Sequence, residues 1–257
     1  QSFYDPHLQH LNRAHQALEA EISVKQAQYY GIENISIDLI YAIPYPDHSI
    51  LEQDIAKAFA LNVSHISAYC LTIEPQTAFG NWLKKAKIKP IDEEFAAKQF
   101  EILIDQLGKN GYEQYEISNF ARNNQYSKHN TSYWMQEPYL GVGPSAHSYN
   151  GASREFNIAN NAKYVTSIQQ DIIPSTIEQL TFVEQTNEYL LTGLRTKWGV
   201  NTEVLEQLSK RNFKRQHSKT IASFLHANLL QMDQSLMKLT EAGKLFADRI
   251  TGDLFIE

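Results

Sequence analysis

Asp38 stands inside the apolar run Ile37-Asp38-Leu39-Ile40, where an unpaired carboxylate would cost several kcal/mol in a protein interior. It therefore calls for a partner. Arg13, upstream, would supply one as a structural ion pair, and the hydroxyl or amino groups of a ligand at a strand end would supply another. A second group of reactive types is His129-Asn130-Thr131-Ser132-Tyr133-Trp134, which follows the polar, basic loop of residues 122–128. Imidazole is a good iron ligand and flat aromatic rings pack on a macrocycle, although a lone histidine among aromatics is more often structural. A third, Gly141-Val142-Gly143-Pro144-Ser145-Ala146-His147, is rich in small residues that let backbone approach a ligand closely. It is too short for a dinucleotide fingerprint. Cys70 lies in the apolar run of residues 65–73 and reads as a buried, inert thiol.

These groups must be held by regular elements. Asp5-Pro6 opens a helix that apolar spacing carries to about Tyr30, where Gly31 stops it. Residues 35–43 read as a buried strand ending at Pro44, residues 47–60 as a helix with Leu51, Ile55 and Phe59 four apart, and residues 66–73 as another strand. Asp92 opens a helix over residues 93–109, Gly111 closes it, and residues 112–117 form the next strand. Alternating strands and helices predict a parallel sheet with ligand groups near strand ends, a piece of a (β/α) barrel.

After Asn150 the pattern becomes helical, with segments at 160–170, 178–193, 201–208, 217–226 and 231–242 and no strand between them. A Gly stop and two short strands around Gly252-Asp253 then give the tail a winged-helix form. The fold class is α/β: a partial barrel over 1–158, followed by a mostly helical, winged-helix-like domain over 159–257. The helix ending this tail carries Lys238 and Glu241 without a basic, amide-rich face, so nucleic acid is not an expected partner.

Composition narrows the classes further. The net charge of −6 argues against a general nucleic-acid or anionic-membrane surface, and the cluster Lys210, Arg211, Lys214, Arg215 reads as a solvated helix face. No apolar run reaches the roughly 18 to 20 residues of a membrane span and residues 1–20 lack a signal-peptide pattern, so a cytoplasmic protein is expected. A single cysteine among 257 residues rules out a disulfide framework and any all-cysteine metal site within the chain. Gln1 runs almost directly into a helical pattern with no initiator Met, as though an upstream strand had been removed. The expectation is a fragment whose cut barrel exposes an edge and promotes self-association.

Taken together, several segments carry a resemblance. Gln1-Ser2-Phe3, Asn12-Arg13, the Asp38 strand, Leu71 to Phe79, Tyr115 to Ala121, His129-Asn-x-x-Tyr-Trp134 and Tyr139 to His147 resemble the radical S-adenosylmethionine proteins, the family of oxygen-independent coproporphyrinogen III oxidase and the HemW-type heme chaperones. The His-Asn-x-x-Tyr-Trp element resembles the chaperone branch more than the oxidase. The resemblance implies that Gln1, Arg13 and Asp38 line an S-adenosylmethionine pocket, with Thr72 and His147 near it, and that His129 is a candidate heme ligand. It implies heme as cargo, a heme-acceptor protein as partner, and a place in porphyrin and heme metabolism.

Two departures qualify this. Where the family continues the Asp38 strand with Gly-Leu-Pro, this chain has Ala42-Ile43-Pro44-Tyr45-Pro46-Asp47, which predicts a loop of different shape. The Cys-x-x-x-Cys-x-x-Cys loop that holds the family's [4Fe-4S] cluster has no counterpart here, so that cluster is expected in a full-length parent only and this chain alone is expected to be inactive. The alternative implied by the same resemblance is a coproporphyrinogen III oxidase, which decarboxylates propionate side chains by radical chemistry.

Overall fold

A computed structural model describes residues 1–257, which divide into two compact units, Gln1–Ser127 and Lys128–Glu257. In the first unit the expected long helix is two, α1 (Asp5–His10) and α2 (Ala17–Tyr29). Asn12 takes a left-handed φ of 53° between them, and Asp5 does not cap α1. Its Oδ1 instead accepts the N–H of Ala17 at 2.8 Å, so the apparent start signal of one helix serves the next. Then follow β1 (Ser36–Tyr41), α3 (Ser49–Ala60), β2 (His65–Cys70), α4 (Ala78–Lys84), α5 (Glu93–Lys109), β3 (Glu113–Glu116) and β4 (Asn119–Ala121).

The expected βα repeat is present in β1 and β2, which pair in parallel from Ser36↔His65 to Tyr41↔Cys70. It ends there. β4 folds back as a hairpin partner of β3 and inserts antiparallel beside β2, giving an open sheet in the order β1-β2-β4-β3. The reason is local: only Ile117 and Ser118 separate the two strands, too short a connection for the crossover a parallel neighbour needs. Leu39 and Ile66 of the sheet pack with Leu51 and Ile55 of α3 and Leu103 and Leu107 of α5 in one core. α5 forms as the sequence predicts, because Asp92 accepts the N–H of Phe95 at 3.0 Å and Phe100, Leu103 and Leu107 repeat at helical spacing.

The second unit contains α6 (Lys128–Trp134), β5 (His147–Tyr149), β6 (Ser153–Asn157), α7 (Asn161–Gln169), β7 (Ser175–Gln179), α8 (Phe182–Leu194), β8 (Val200–Asn201), α9 (Thr202–Ser209), α10 (Phe213–Gln216), α11 (Ser218–His226), β9 (Leu230–Asp233), β10 (Leu236–Leu239), α12 (Glu241–Lys244) and α13 (Ala247–Asp253). Its strands form two antiparallel sheets, β5-β6-β7 and β8-β10-β9, so the all-helical reading after Asn150 is corrected. β7 occupies the stretch before α8, which starts only where Thr181 and Glu184 close a capping box. The winged-helix order is present as α8, β8, α9, α11 and the hairpin β9–β10, but the hairpin occupies residues read as a helix, and the expected final strands are α13. Leu230, Met237 and Leu239 are buried while Gln231 and Asp233 are exposed, a strand alternation and not a helical stripe.

Candidate functional site

Strand alternation explains Asp38. Ile37, Leu39 and Tyr41 turn toward the core beneath α3 and α5, which sends Ser36, Asp38 and Ile40 to the opposite face of the sheet. Asp38 is exposed there and makes neither a hydrogen bond nor an ion pair, so its expected burial is corrected. Gln1 lies alongside: its carbonyl accepts the N–H of Ile40 at 2.8 Å, continuing the sheet beyond β1. The Gln1 backbone nitrogen lies within electrostatic reach of Asp54, Asp38 and Arg13. Three residues predicted from sequence, Gln1, Arg13 and Asp38, thus share one electrostatic neighbourhood.

Arg13 is exposed and its position is fixed by its own N–H, which donates to the Leu8 carbonyl at 2.9 Å. It forms no ion pair with Asp38, so the structural pairing considered from sequence is not made. Thr72 is exposed just past the end of β2, with its hydroxyl donating to the Cys70 carbonyl at 3.3 Å. Its neighbours Leu71 and Ile73 line an apolar cavity of about 200 Å3 together with His10, Pro44, Phe79 and Ile88. Neither Arg13 nor Asp38 is among the residues that line this cavity.

Cys70 is exposed, not buried as expected, because it is the last residue of β2 on an uncovered stretch of that strand. No group of three or more histidine, cysteine or acidic residues in the chain could hold a metal ion. The residues present therefore do not fit a [4Fe-4S] cluster.

Sequence reading missed a polar network on the same sheet. Ser36 Oγ lies 2.8 Å from His65 Nδ1, and His65 Nε2 lies 2.7 Å from the Tyr115 hydroxyl, which also accepts the N–H of Ser127 at 3.2 Å. Beside it Ser67 donates to Asn119 Oδ1 at 3.1 Å, and Asn119 Nδ2 donates to the buried carboxylate of Glu116 at 2.5 Å. The alternation His65-Ile66-Ser67-Ala68-Tyr69 was the available signal, a polar face on a strand whose other face is apolar.

His129 and His147 belong to the second unit. His129 is exposed on α6, edge-on to Tyr133 with ring centroids 4.9 Å apart. His147 opens β5, exposed, with its ring 5.8 Å from that of Phe156. Gly141 is required by a close approach, since a Cβ there would meet the His147 carbonyl oxygen at 2.1 Å.

No family model matches the chain. The coproporphyrinogen III oxidase HemN of Escherichia coli, described as a radical SAM enzyme, superposes with a TM-score of 0.76 over 99% of this chain and 62% of its own, at 18% identity. The fold is thus that of the matching part of this HemN structure. The heme chaperone HemW of Bacillus subtilis is 32% identical over 253 residues, 98% of this chain and 67% of that protein, and HemW of Lactococcus lactis is 32% identical over 95% of this chain and 64% of its own length. This chain belongs to the HemW family, and it spans about two thirds of the length of these relatives.

Proposed function

We propose that the chain is the S-adenosylmethionine- and heme-binding part of a HemW-type heme chaperone, which passes heme to an acceptor protein. The observation that carries the cofactor half is that Arg13 and Asp38 both lie within electrostatic reach of Gln1, whose carbonyl is bonded to β1. Arg13 would take the carboxylate of the methionine part and Asp38 its amino group or the ribose hydroxyls, with Thr72 beside the apolar cavity that suits adenine. S-adenosylmethionine brings a methionine zwitterion, a ribose and a planar base. The [4Fe-4S] cluster is assigned to protein outside these residues, because this chain has no ligand set for it.

The heme half rests on His129, an exposed imidazole with no hydrogen bond committed elsewhere, and on the names of the relatives. By descent, residues 1–158 are assigned to the barrel portion and 159–257 to the C-terminal domain; the packing boundary after Ser127 is a separate feature. Calorimetry with S-adenosylmethionine should show binding that Asp38→Asn weakens at least tenfold, and heme titration should give a Soret shift that His129→Ala removes. Heme binding unchanged in His129→Ala would overturn the ligand assignment, and absence of any S-adenosylmethionine heat would overturn the pocket.

A further inference from the structure

The second unit holds a cavity of about 180 Å3 whose walls include Tyr133, Trp134, Tyr139, Tyr149, Arg154 and Glu188. It begins one ring from His129. Tyr133 stands edge-on to the imidazole on one side and to Tyr139 on the other, at 4.8 Å, and Tyr139 continues to Tyr149 at 6.2 Å. The polar groups of the cavity are incompletely matched. Trp134 Nε1 is buried with no acceptor, and Arg154, a fork of N–H donors, engages Glu188 through Nη2 at 2.8 Å. Glu188 is itself held at a cost: its partial burial pushes its pKa up, opposed by Arg154 and supported by the nearby charges of Glu184 and Glu178.

We propose that this cavity is an anchoring subsite for a carboxylate side chain of a porphyrin, with Arg154 exchanging Glu188 for that carboxylate while the rings of Tyr133 and Tyr139 flank the macrocycle edge. The inference rests on the heme-binding reading above and deepens it. The cavity is smaller than the roughly 300 to 1,000 Å3 of sites that enclose a whole drug-sized ligand, so it suits a short appendage and not the macrocycle. A carboxyethyl group matches its chemistry, an apolar stem between tyrosines and an anionic end at a guanidinium that forms bidentate pairs. The exchange replaces one carboxylate by another, so the charge balance at Arg154 is kept and Glu188, left beside Glu184 and Glu178, takes up a proton or moves into water.

The test uses the 257-residue chain and metal-free protoporphyrin IX, which offers no iron to His129, read by porphyrin fluorescence. Arg154→Gln should weaken binding about tenfold, and Glu188→Gln, which frees Arg154, should strengthen it several-fold. A merely structural role for the ion pair would make Glu188→Gln neutral or weakening. Protoporphyrin dimethyl ester should bind the native chain and Arg154→Gln equally. If the free acid and the ester bind alike in all three proteins, or if neither binds, the subsite is overturned. A parallel heme titration separates the two claims: a His129-dependent Soret shift without the Arg154 effects leaves the functional reading standing alone, and the Arg154 effects without that shift leave the subsite standing alone.

Discussion

Ser2 Oγ donates a 2.6 Å hydrogen bond to Asp54 Oδ2 across a separation of 52 residues, and the N–H of Phe3 donates to Asp54 Oδ1 at 2.6 Å. The carboxylate, 3% exposed on α3, thereby ties the segment that carries Gln1 against the helix layer behind the sheet. Asp54→Ala leaves a buried hydroxyl and a backbone N–H without an acceptor and should destabilise the fold by about 3 kcal/mol in denaturant titration. The S-adenosylmethionine binding proposed above should weaken with it, because the Gln1 segment loses this tie to α3.

The same residue sets a pH dependence. Burial pushes the Asp54 carboxyl above its ordinary 3.8, against the opposing hydrogen bonds of Ser2 and Phe3. The folded chain therefore holds this proton more tightly than the unfolded chain, so the contribution is greatest below 3.8 and is lost as pH rises through the folded value. Asp54→Asn cannot titrate. The difference in melting temperature between native protein and Asp54→Asn should change across this window and be flat above it; a constant difference throughout would refute the shift.

His65 behaves in the opposite sense. Burial lowers its pKa from the ordinary 6.5, with the charge of Asp38 opposing, so the ring stays neutral in the fold and can accept one hydrogen bond while donating the other. The unfolded chain takes up the proton first, so stability is lost as pH falls below 6.5. Asp38→Asn should lower the His65 titration further, read from its imidazole proton shifts by NMR, whereas an unmoved titration would place Asp38 out of electrostatic reach. Tyr115→Phe strips a partner from both His65 and Ser127 and should cost about 1–2 kcal/mol.

The legibility of this fold in its sequence followed the range of the interactions. α5 was readable because its signals are local: Asp92 at the cap, Gly111 after the end and an apolar stripe between. The position of Asp38 in β1 was readable, but its exposure was not, since that depends on which face α3 and α5 cover. β4 slipping between β2 and β3, and Ser2 reaching Asp54, are non-local pairings with no periodic trace. The β9–β10 hairpin did leave one, in the alternation of Leu230 and Met232 with Gln231 and Asp233, where the sequence was read as a helix.

Gly141 links the small-residue segment to the aromatic cavity. Its place against the His147 carbonyl lets Tyr139 and Tyr149 pair through reciprocal backbone hydrogen bonds of 2.8 and 2.9 Å. Gly141→Ala must push these chains apart, as the clash is with backbone and no side chain can rotate away. A loss of about 1–3 kcal/mol is expected, with a changed tyrosine signal in near-ultraviolet circular dichroism. Gly252→Ala is the control, since there a Cβ would touch nothing and the backbone is not left-handed, and it should cost nothing.

Cys70 offers a direct check on the exposed end of β2. Its thiol should react completely with a chromogenic disulfide without denaturant, a result that a buried thiol would not give. Partial desolvation nevertheless pushes its pKa above the ordinary 9.0, while the hydrogen bond from Tyr41, its partner across β1 and β2, pulls it down. The thiolate fraction, and with it the rate, should rise about tenfold per pH unit below that pKa. Tyr41→Phe removes the lowering influence, so the reaction at fixed pH should slow. Acceleration in Tyr41→Phe would mean that the phenol shields the sulfur more than it stabilises the thiolate.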